Sequence, residues 1–395
     1  TTPLKKEVLE EMKPYLRSSF ANASSIHSFG REARRGVDEA REKVARFLNC
    51  NPLEIIFTSG GTEANNLAIK GVIFSNKALS NKALSNRALS NRAISKQKYE
   101  LPHIITSQIE HHSVLDTCQW LEKMGFAEVS YLPVGKTGIV KIEDVKKALK
   151  KSAGRRTVLV SIMYANNEIG TIQPVREIGK LVEKINRSFK PSVFRPPSSV
   201  FCPILFHTDA VQAPEYLNCD VKYLHIDMLS LSAHKFGGPK GVGVLYVKRG
   251  VDLEPQMSGG AQEWGMRAGT ENVAAIAGTG TAIATINPAA ERSGLQPQRR
   301  SKQQSTINKI KKLNDHLVDG VLKKIPEAIL SGERENNAPH IANFCFKGVK
   351  TDAFLTALDL EGIAASSGSA CVSGSVGLSH VIKALKVPEN YGCAR

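Results

Sequence analysis

An alternation of strand-like and helix-like segments recurs along the N-terminal two thirds of this chain of 395 residues. Apolar runs that are typical of buried strands lie at 54–59, 103–107, 156–164, 203–209, 226–233 and 241–250. Helix-like segments follow two of them directly, at 62–74 and 111–125. This alternation predicts an α/β fold with a mainly parallel, doubly wound sheet. Because such sheets bind ligands at the carboxyl ends of their strands, we expect functional residues just after these runs.

Three polar segments interrupt the alternation. Residues 75–94 repeat SNKAL, SNKAL, SNRAL and SNRAI, and a period of five gives neither a strand nor a helix a continuous apolar face. Residues 188–201 are rich in proline and serine, and residues 287–305 are polar. We predict exposed insertions at all three places. The last is also a candidate domain boundary, after which strand-like and helix-like segments predict a smaller α+β domain.

The net charge of the chain is +16, from 53 Lys and Arg against 37 Asp and Glu. Much of the excess lies in 75–98 and 299–312, each of which contains six basic residues and no acidic residue. We therefore interpret the charge as solvated surface, and its distribution argues against a nucleic-acid protein. That alternative would require steeply salt-dependent DNA binding.

No apolar run approaches the roughly 20 residues of a membrane helix, and no secretory signal is visible. The seven cysteines show no CxxC pair and no zinc-ligand spacing, which favours a reducing compartment over a disulfide framework or a metal site. Cys371 lies in the Ser/Gly-rich stretch SSGSACVSG, which fits either an incidental thiol or a nucleophile that has to move. We predict core or incidental roles for the other six, which are Cys50, Cys118, Cys202, Cys219, Cys345 and Cys393.

Residues suited to chemistry do follow the predicted strands. Gly61 and Thr62 open a helix, where backbone N–H groups and the helix dipole favour an anion such as phosphate. Asp209, Lys235 and His111 each follow another predicted strand. Taken singly, these residues fit turns, caps or surface positions. Taken together, a phosphate cradle, a carboxylate, a lysine and a histidine at one sheet edge are what pyridoxal phosphate requires.

The order of the sequence motifs resembles that of the cysteine desulfurases. The matching motifs are TTPL, SSIHSFGREAR, FTSGGTEANNLAIKG, EHHSVLDTC, NNEIGTIQP, HTDAVQ, SAHKFGGPKG, GMRAGTENV and SSGSACVSG, and they run nearly end to end. The chain is identified as a member of this family, which belongs to the fold-type I pyridoxal-phosphate enzymes of the aminotransferase class-V superfamily. Within it, the chain resembles the nitrogen-fixation and iron–sulfur-cluster type.

The resemblance implies a role for each site residue. Lys235 would carry the cofactor aldehyde and move protons at the substrate α-carbon, Asp209 would pair with the ring nitrogen, and His111 would stack on the ring. The phosphate would be held by Gly61, Thr62, Ser232 and His234, with Thr270 reaching in from a second subunit. Gln212 would meet the ring hydroxyl, Asn167 would lie beside that hydroxyl and the substrate, and Arg395 would pair with the substrate carboxylate.

The implied reaction converts L-cysteine to L-alanine and leaves a persulfide on Cys371 for a sulfur-acceptor protein, such as a scaffold for iron–sulfur cluster assembly. The resemblance also implies a homodimer, no membrane partner and a cytoplasmic enzyme, with an organellar location left open. The alternatives are a selenocysteine lyase or a cysteine/cystine lyase, and an inactive paralogue that acts as a binding partner. The long SSGSACVSG loop favours the desulfurase, because direct lyase chemistry has less need of a sulfur carrier on the protein.

The family pattern also divides the chain into domains. We expect a large cofactor-binding domain over 9–290, with insertions near 75–98 and 186–203. A small domain would comprise 1–8 and 291–395 and would carry the Cys371 loop. The family continues past the arginine that matches Arg395, so we expect the small domain to be truncated at its C-terminus.

Overall fold

The structure is a computed structural model that describes residues 1–75, 101–151, 156–188, 203–286, 297–368 and 378–395. The greater part of the pentad repeat, the proline-rich stretch 189–202 and Cys371 lie outside the described residues. In the part of the chain that is described, no helix is long and apolar enough to cross a membrane.

A seven-stranded sheet forms the centre of the fold. Its strands are β1 (Ile55–Thr58), β2 (Pro102–Ser107), β3 (Glu128–Leu132), β4 (Arg156–Ser161), β5 (Leu205–Asp209), β6 (Met228–Ser232) and β7 (Gly243–Val247). They lie side by side in the order β1-β7-β6-β5-β4-β2-β3. All neighbouring pairs are parallel except those of β7, which runs antiparallel to both β1 and β6. The predicted α/β fold with a mainly parallel sheet is therefore confirmed.

Helices cover this sheet on both faces and extend beyond it. They are α1 (Lys6–Arg17), α2 (Ser28–Leu48), α3 (Gly61–Ser75), α4 (His112–Lys123), α5 (Ile142–Lys151), α6 (Val175–Ser188), α7 (Val221–Leu224), α8 (Val273–Ile286), α9 (Pro297–Lys324), α10 (Thr351–Leu360) and α11 (His380–Ala384). α8 packs along α1 and α2, whereas α3 packs against α4.

Two hydrophobic clusters hold these layers together, one on each face of the sheet. Along β1, Ile55 and Phe57 belong to the cluster that contains α2, whereas Ile56 belongs to the cluster that contains α3 and α4. The same alternation occurs in β2, where Ile104 and Ile105 face opposite clusters. Because successive side chains of a strand point to opposite faces, a strand buried on both faces has a continuous apolar sequence.

A second, three-stranded sheet lies in the C-terminal part of the chain. Its strands are β8 (Ile329–Leu330), β9 (Phe344–Lys347) and β10 (Tyr391–Ala394), in the antiparallel order β10-β9-β8. β9 and β10 place Cys345 opposite Cys393, and the two residues form a disulfide. Both cysteines lie in the core, which is one of the two roles predicted for them. The preference for a chain without disulfides was wrong for this pair, since β-sheet register brings together two thiols that are 48 residues apart.

The second half of the predicted insertion at 287–305 is helical. Residues from Pro297 onward belong to α9, which continues to Lys324. A proline at the first position of a helix is favourable, and the Gln, Arg and Lys residues that follow it are good helix formers. Polar residues are common both in helices that face solvent and in loops, so the composition of this stretch did not distinguish the two.

A buried ion pair fixes the loop that precedes α8. Arg41 on α2 donates two hydrogen bonds to the carboxylate of Glu263, at 2.6 and 2.9 Å, and a third to the backbone oxygen of Ile55. The same carboxylate accepts the backbone N–H of Phe57 at 2.9 Å. Both charged side chains are almost completely buried, with exposed fractions of 4% and 2%.

Replacing Arg41 with methionine is expected to lower the free energy of unfolding by about 3 kcal/mol, because it leaves a buried carboxylate without its counter-ion. Urea denaturation measures this loss. The matched control is Arg35→Met, which removes the exposed ion pair with Glu39 (Nε to Oε1 3.7 Å) and should change stability by less than about 1 kcal/mol. Equal effects of the two substitutions would contradict the account of this loop.

Candidate active site

A cavity of about 440 Å³ lies at the carboxyl ends of β1, β5 and β6. The predicted site residues that line it are Gly61, Thr62, His111, Asn167, Asp209, Gln212, Ser232, His234, Lys235 and Arg395. These residues come from six separate segments of the chain, so the fold brings them together as the sheet topology predicts. Thr270 is exposed and does not line this cavity, and Cys371 lies outside the described residues.

One end of the cavity has the construction of an anion site. α3 begins at Gly61, so the N–H groups of its first turn and its positive dipole end meet the cavity. The backbone is close-packed there, since a Cβ on Gly61 would lie 2.7 Å from Cγ2 of Val211. A Cβ on Gly243 would lie 2.4 Å from the backbone of Gly60. Ser232 and Lys240 add a hydroxyl and a positive charge to the lining, which fits a phosphate group.

Asp209 lies at the end of β5, and its carboxylate is held firmly at the bottom of the cavity. Its Oδ2 atom accepts a hydrogen bond from Nδ2 of Asn65 at 2.7 Å, and its Oδ1 atom accepts the backbone N–H of Val211 at 3.0 Å. The side chain is 6% exposed. A fixed, buried carboxylate is the partner that a protonated pyridine nitrogen needs.

His111 is linked to Asp209 through two residues that the sequence analysis did not identify. Its Nδ1 atom accepts the backbone N–H of Ser113 at 3.1 Å and lies 2.8 Å from Oγ of Ser113. That Oγ atom accepts a hydrogen bond from Nδ2 of Asn65 at 2.8 Å, so its own proton is available to His111. Burial lowers the pKa of His111, which leaves a neutral ring with its proton on Nε2.

Lys235 is held by its neighbours in the short turn that follows β6. Ala233, two residues before the lysine, and Phe236, directly after it, are both fully buried, which restrains the backbone on either side of the lysine. Gly237 has φ = +81°, a conformation that favours glycine. Burial and the positive charge of Lys235 lower the pKa of His234 to about 4, so His234 is a neutral hydrogen-bonding group beside the anion site.

Arg395 approaches the cavity from the small sheet, directly after β10. Its Nε atom donates to Oγ of Ser366 at 3.0 Å, and its Nη1 atom donates to the backbone oxygen of Asn167. Two backbone hydrogen bonds also join Arg395 to Ser366, which stands at the start of SSGSACVSG. The guanidinium is therefore anchored beside the cavity, where it fits the carboxylate of an amino acid.

Glu110 is a further buried group that the sequence analysis missed. Its Oε1 atom accepts a hydrogen bond from Ser107 at 2.6 Å, and both carboxyl oxygens accept the backbone N–H of Met163 at 3.1 Å. Burial raises the pKa of Glu110 from its ordinary value of 4.5 to about 8. In the sequence, Glu110 is marked only by its position directly before His111, as the first residue of the motif EHHSVLDTC.

The Glu110→Gln variant is expected to have a flatter dependence of stability on pH. The folded state keeps the Glu110 proton up to about pH 8, whereas the unfolded chain loses it above 4.5, so this group lowers the stability as pH rises through that window. The slope is about 1.4 kcal/mol per pH unit. Urea denaturation at both ends of the window checks this, with the exposed Glu143→Gln as control. A variant with the wild-type pH dependence would contradict the assignment.

The residues present fit pyridoxal phosphate. The close-packed glycines and the N-terminus of α3 match the phosphate, Asp209 matches the ring nitrogen, and Lys235 supplies the amine for the aldehyde. The buried Oδ1 atom of Asn65 has no hydrogen-bond partner within the described structure, which leaves it able to accept one from a bound group. The residues that line the cavity therefore match the charge, the shape and the reactive groups of pyridoxal phosphate.

Known proteins resemble this chain over nearly its whole length. The family model for aminotransferase class-V matches residues 1–189 and 201–387. The cysteine desulfurase IscS of Dictyoglomus turgidum is 46% identical over 388 residues, which cover 98% of this chain and 84% of that protein. A protein of the same name from Methanosarcina thermophila is 42% identical over 388 residues, covering 98% of this chain and 82% of the relative.

Solved structures agree with the sequence relatives. A NifS-like protein superposes with a TM-score of 0.79 at 32% identity, covering 100% of this chain and 90% of the other. SspA, whose structure contains cysteine, superposes with a TM-score of 0.72 at 34% identity, and the match covers 99% of this chain and 93% of SspA. The chain therefore belongs to the aminotransferase class-V family and, within it, to the pyridoxal-phosphate-dependent cysteine desulfurases.

Proposed function

We propose that this site converts L-cysteine to L-alanine and transfers the sulfur to Cys371 as a persulfide, which supplies sulfur for iron–sulfur cluster assembly. The observation that carries the proposal is the convergence of Lys235, Asp209 and His111 in one cavity, with Arg395 at its edge. The same cavity provides an anion site for the cofactor and a cation for the substrate, so it fits an amino acid held against pyridoxal phosphate.

When bound, pyridoxal phosphate supplies an electron-withdrawing ring that stabilises negative charge at the substrate α-carbon. The amine of Lys235 would hold the cofactor through its aldehyde and, once substrate is bound, would remove and return the substrate α-proton. The carboxylate of Asp209, which Asn65 and the backbone of Val211 hold in place, would pair with the ring nitrogen and keep it protonated. His111, neutral and fixed by Ser113, would stack on the ring and could donate its Nε2 proton there.

Arg395 and Asn167 orient the substrate. The guanidinium of Arg395 is held by Ser366 and by the backbone of Asn167, so it can accept a carboxylate with little loss of side-chain entropy. A carboxylate bound there fixes the α-carbon near Lys235, which lines the same part of the cavity. Gln212 would donate to the ring oxygen of the cofactor.

Cys371 receives the sulfur. Its thiolate attacks the sulfur atom of cysteine, and an S–S bond forms as the Cβ–S bond breaks. The electron pair of the broken bond stays with Cβ, which takes a proton, so that alanine leaves and Cys371 carries one additional sulfur atom. The described residues on either side of the Cys371 segment lie close together, since a Cβ on Gly368 would be 3.4 Å from Cβ of Ser379. The two attachment points of the Cys371 segment therefore lie next to each other.

A second copy of this chain would complete the phosphate site. Thr270 is exposed on the loop that also carries Trp264. Other large apolar side chains are exposed on α2 and on the segment that precedes α2. These side chains include Phe20, Ile26 and Phe29, with exposed fractions of 74%, 91% and 58%, and Trp264 itself is 53% exposed. We infer that they are covered in a homodimer, in which Thr270 reaches the neighbouring site. The cytoplasmic location stays a prediction.

The proposed function is tested by alanine production from L-cysteine, measured with and without added pyridoxal phosphate. Cofactor-dependent alanine and a visible absorption band of the protein support the proposal. A protein that binds the cofactor but forms no alanine contradicts it and favours the inactive paralogue. Running the assay with selenocysteine in parallel separates a desulfurase from a selenocysteine lyase, which would act on the selenium substrate alone.

A further inference from the structure

Gln212 stands between two cavities. One is the main cavity that contains Asp209 and Lys235, and the other is a smaller cavity of about 270 Å³ that adjoins it. The smaller cavity is lined by His340 and Tyr216 and shares Gln212, Lys235 and Arg395 with the main one. The orientation of the Gln212 amide therefore determines whether its oxygen or its N–H₂ group faces each cavity.

His340 makes a contact that sets this orientation. Its Nε2 atom lies 3.2 Å from Oε1 of Gln212, and its ring stacks on Tyr216 with centroids 4.2 Å apart and planes 11° apart. An amide oxygen only accepts hydrogen bonds, so Nε2 of His340 is the donor. Stacking on a neighbouring ring holds the imidazole in the plane from which it can donate.

The charge state of His340 agrees with this role. His340 is partly exposed to solvent, but desolvation of its ring and the positive charges of Lys235, Arg395 and the N-terminal amine of Thr1 lower its pKa to about 4. The ring is therefore neutral at physiological pH and carries one proton. With that proton on Nε2, the imidazole is a single, fixed donor toward Gln212.

An oxygen committed to His340 leaves the N–H₂ group of Gln212 as the polar edge available to the main cavity. We propose that His340 is a positioning residue that holds the Gln212 side chain so that its amide N–H₂ donates to the ring oxygen of pyridoxal phosphate. This inference rests on the proposed function, in which Gln212 lies beside that oxygen. A donor there stabilises the negative ring oxygen and so lowers the pH at which the bond between Lys235 and the cofactor loses its proton.

The test is a spectrophotometric pH titration of the visible absorption of the full chain loaded with pyridoxal phosphate. The His340→Phe variant keeps a ring to stack on Tyr216 but removes the donor, and should move the titration midpoint upward by about 0.5–1 pH unit. His340→Gln restores an N–H donor and should return the midpoint toward the wild type. Tyr216→Phe, which keeps the ring, should leave the midpoint unchanged.

Gln212→Leu provides the reference for these shifts. If His340 acts through Gln212, the double variant His340→Phe/Gln212→Leu titrates as Gln212→Leu alone does, whereas additive shifts overturn the inference. A shift in Gln212→Leu without one in His340→Phe also overturns it, and leaves the proposed function standing. No visible band in the wild-type protein contradicts the Lys235 assignment and the proposed function itself.

Discussion

Replacing Cys371 with alanine is expected to lower the production of alanine from L-cysteine by at least about 100-fold, because the substrate sulfur then has no nucleophile to receive it. The cofactor site should be unaffected, since none of the residues that line it is changed. The variant should therefore keep its visible absorption band and its affinity for pyridoxal phosphate. Timed measurement of alanine under saturating L-cysteine gives the ratio of rates.

Cys50→Ala is the matched control for this experiment. Cys50 is half-buried at the end of α2, and burial raises its pKa, so it is a thiol and not a thiolate at neutral pH. Its removal should leave alanine production within about twofold of the wild type. Unchanged alanine production by Cys371→Ala would contradict the desulfurase mechanism and would favour direct lyase chemistry, in which sulfide leaves without a carrier on the protein.

Lys235→Ala is expected to lower activity by about 10³–10⁴-fold, because the chain loses the group that moves protons at the α-carbon. It should also abolish covalent attachment of the cofactor, so that the visible band disappears on dialysis. The phosphate site remains in this variant, so the cofactor should still bind noncovalently until dialysis removes it. Borohydride reduction followed by peptide mass analysis shows whether the cofactor is attached to Lys235.

Lys248→Ala is the control for the lysine substitution. Lys248 is exposed and forms an ion pair with Asp227, with its Nζ atom 3.0 Å from Oδ1, outside the cavity. Its removal should change neither the absorption nor the rate. A Lys235→Ala protein that keeps a reducible covalent bond to the cofactor would place the reacting amine on another residue and would contradict the site.

The sequence allowed much of the sheet to be predicted, because strands buried on both faces have continuous apolar runs such as 156–164 and 203–209. The antiparallel direction of β7 was not predictable in this way. A buried strand has the same apolar composition whether its neighbours run parallel or antiparallel to it, so direction depends on the connections.

The disulfide between Cys345 and Cys393 was also not predictable from the local sequence. Nothing near Cys345 or Cys393 in the sequence marks them as partners, and only the register of β9 against β10 places them opposite each other. The beginning of α9 was missed for another reason. Its residues are polar, and a solvated helix surface and a loop have similar compositions.

The candidate site was predictable where a residue's chemistry is visible in its motif, as with Lys235 and Asp209. Asn65 was missed although it lies inside the glycine-rich motif, because its role depends on reaching both Asp209 and Ser113 across the fold. His340 was missed because its contact with Gln212 joins residues 128 positions apart. Residues that act through other residues leave no local pattern, and only the three-dimensional arrangement reveals them.

In the proposed reaction, Cys371 carries the sulfur that comes from L-cysteine. The most direct measurement is mass spectrometry of the Cys371 peptide after a single turnover of the full chain loaded with pyridoxal phosphate, with alanine quantified in the same sample. We expect one additional sulfur atom on that peptide, in an amount equal to the alanine formed. Alanine formed in full while Cys371 gains no sulfur, with the sulfur recovered as free sulfide, would contradict the proposed reaction.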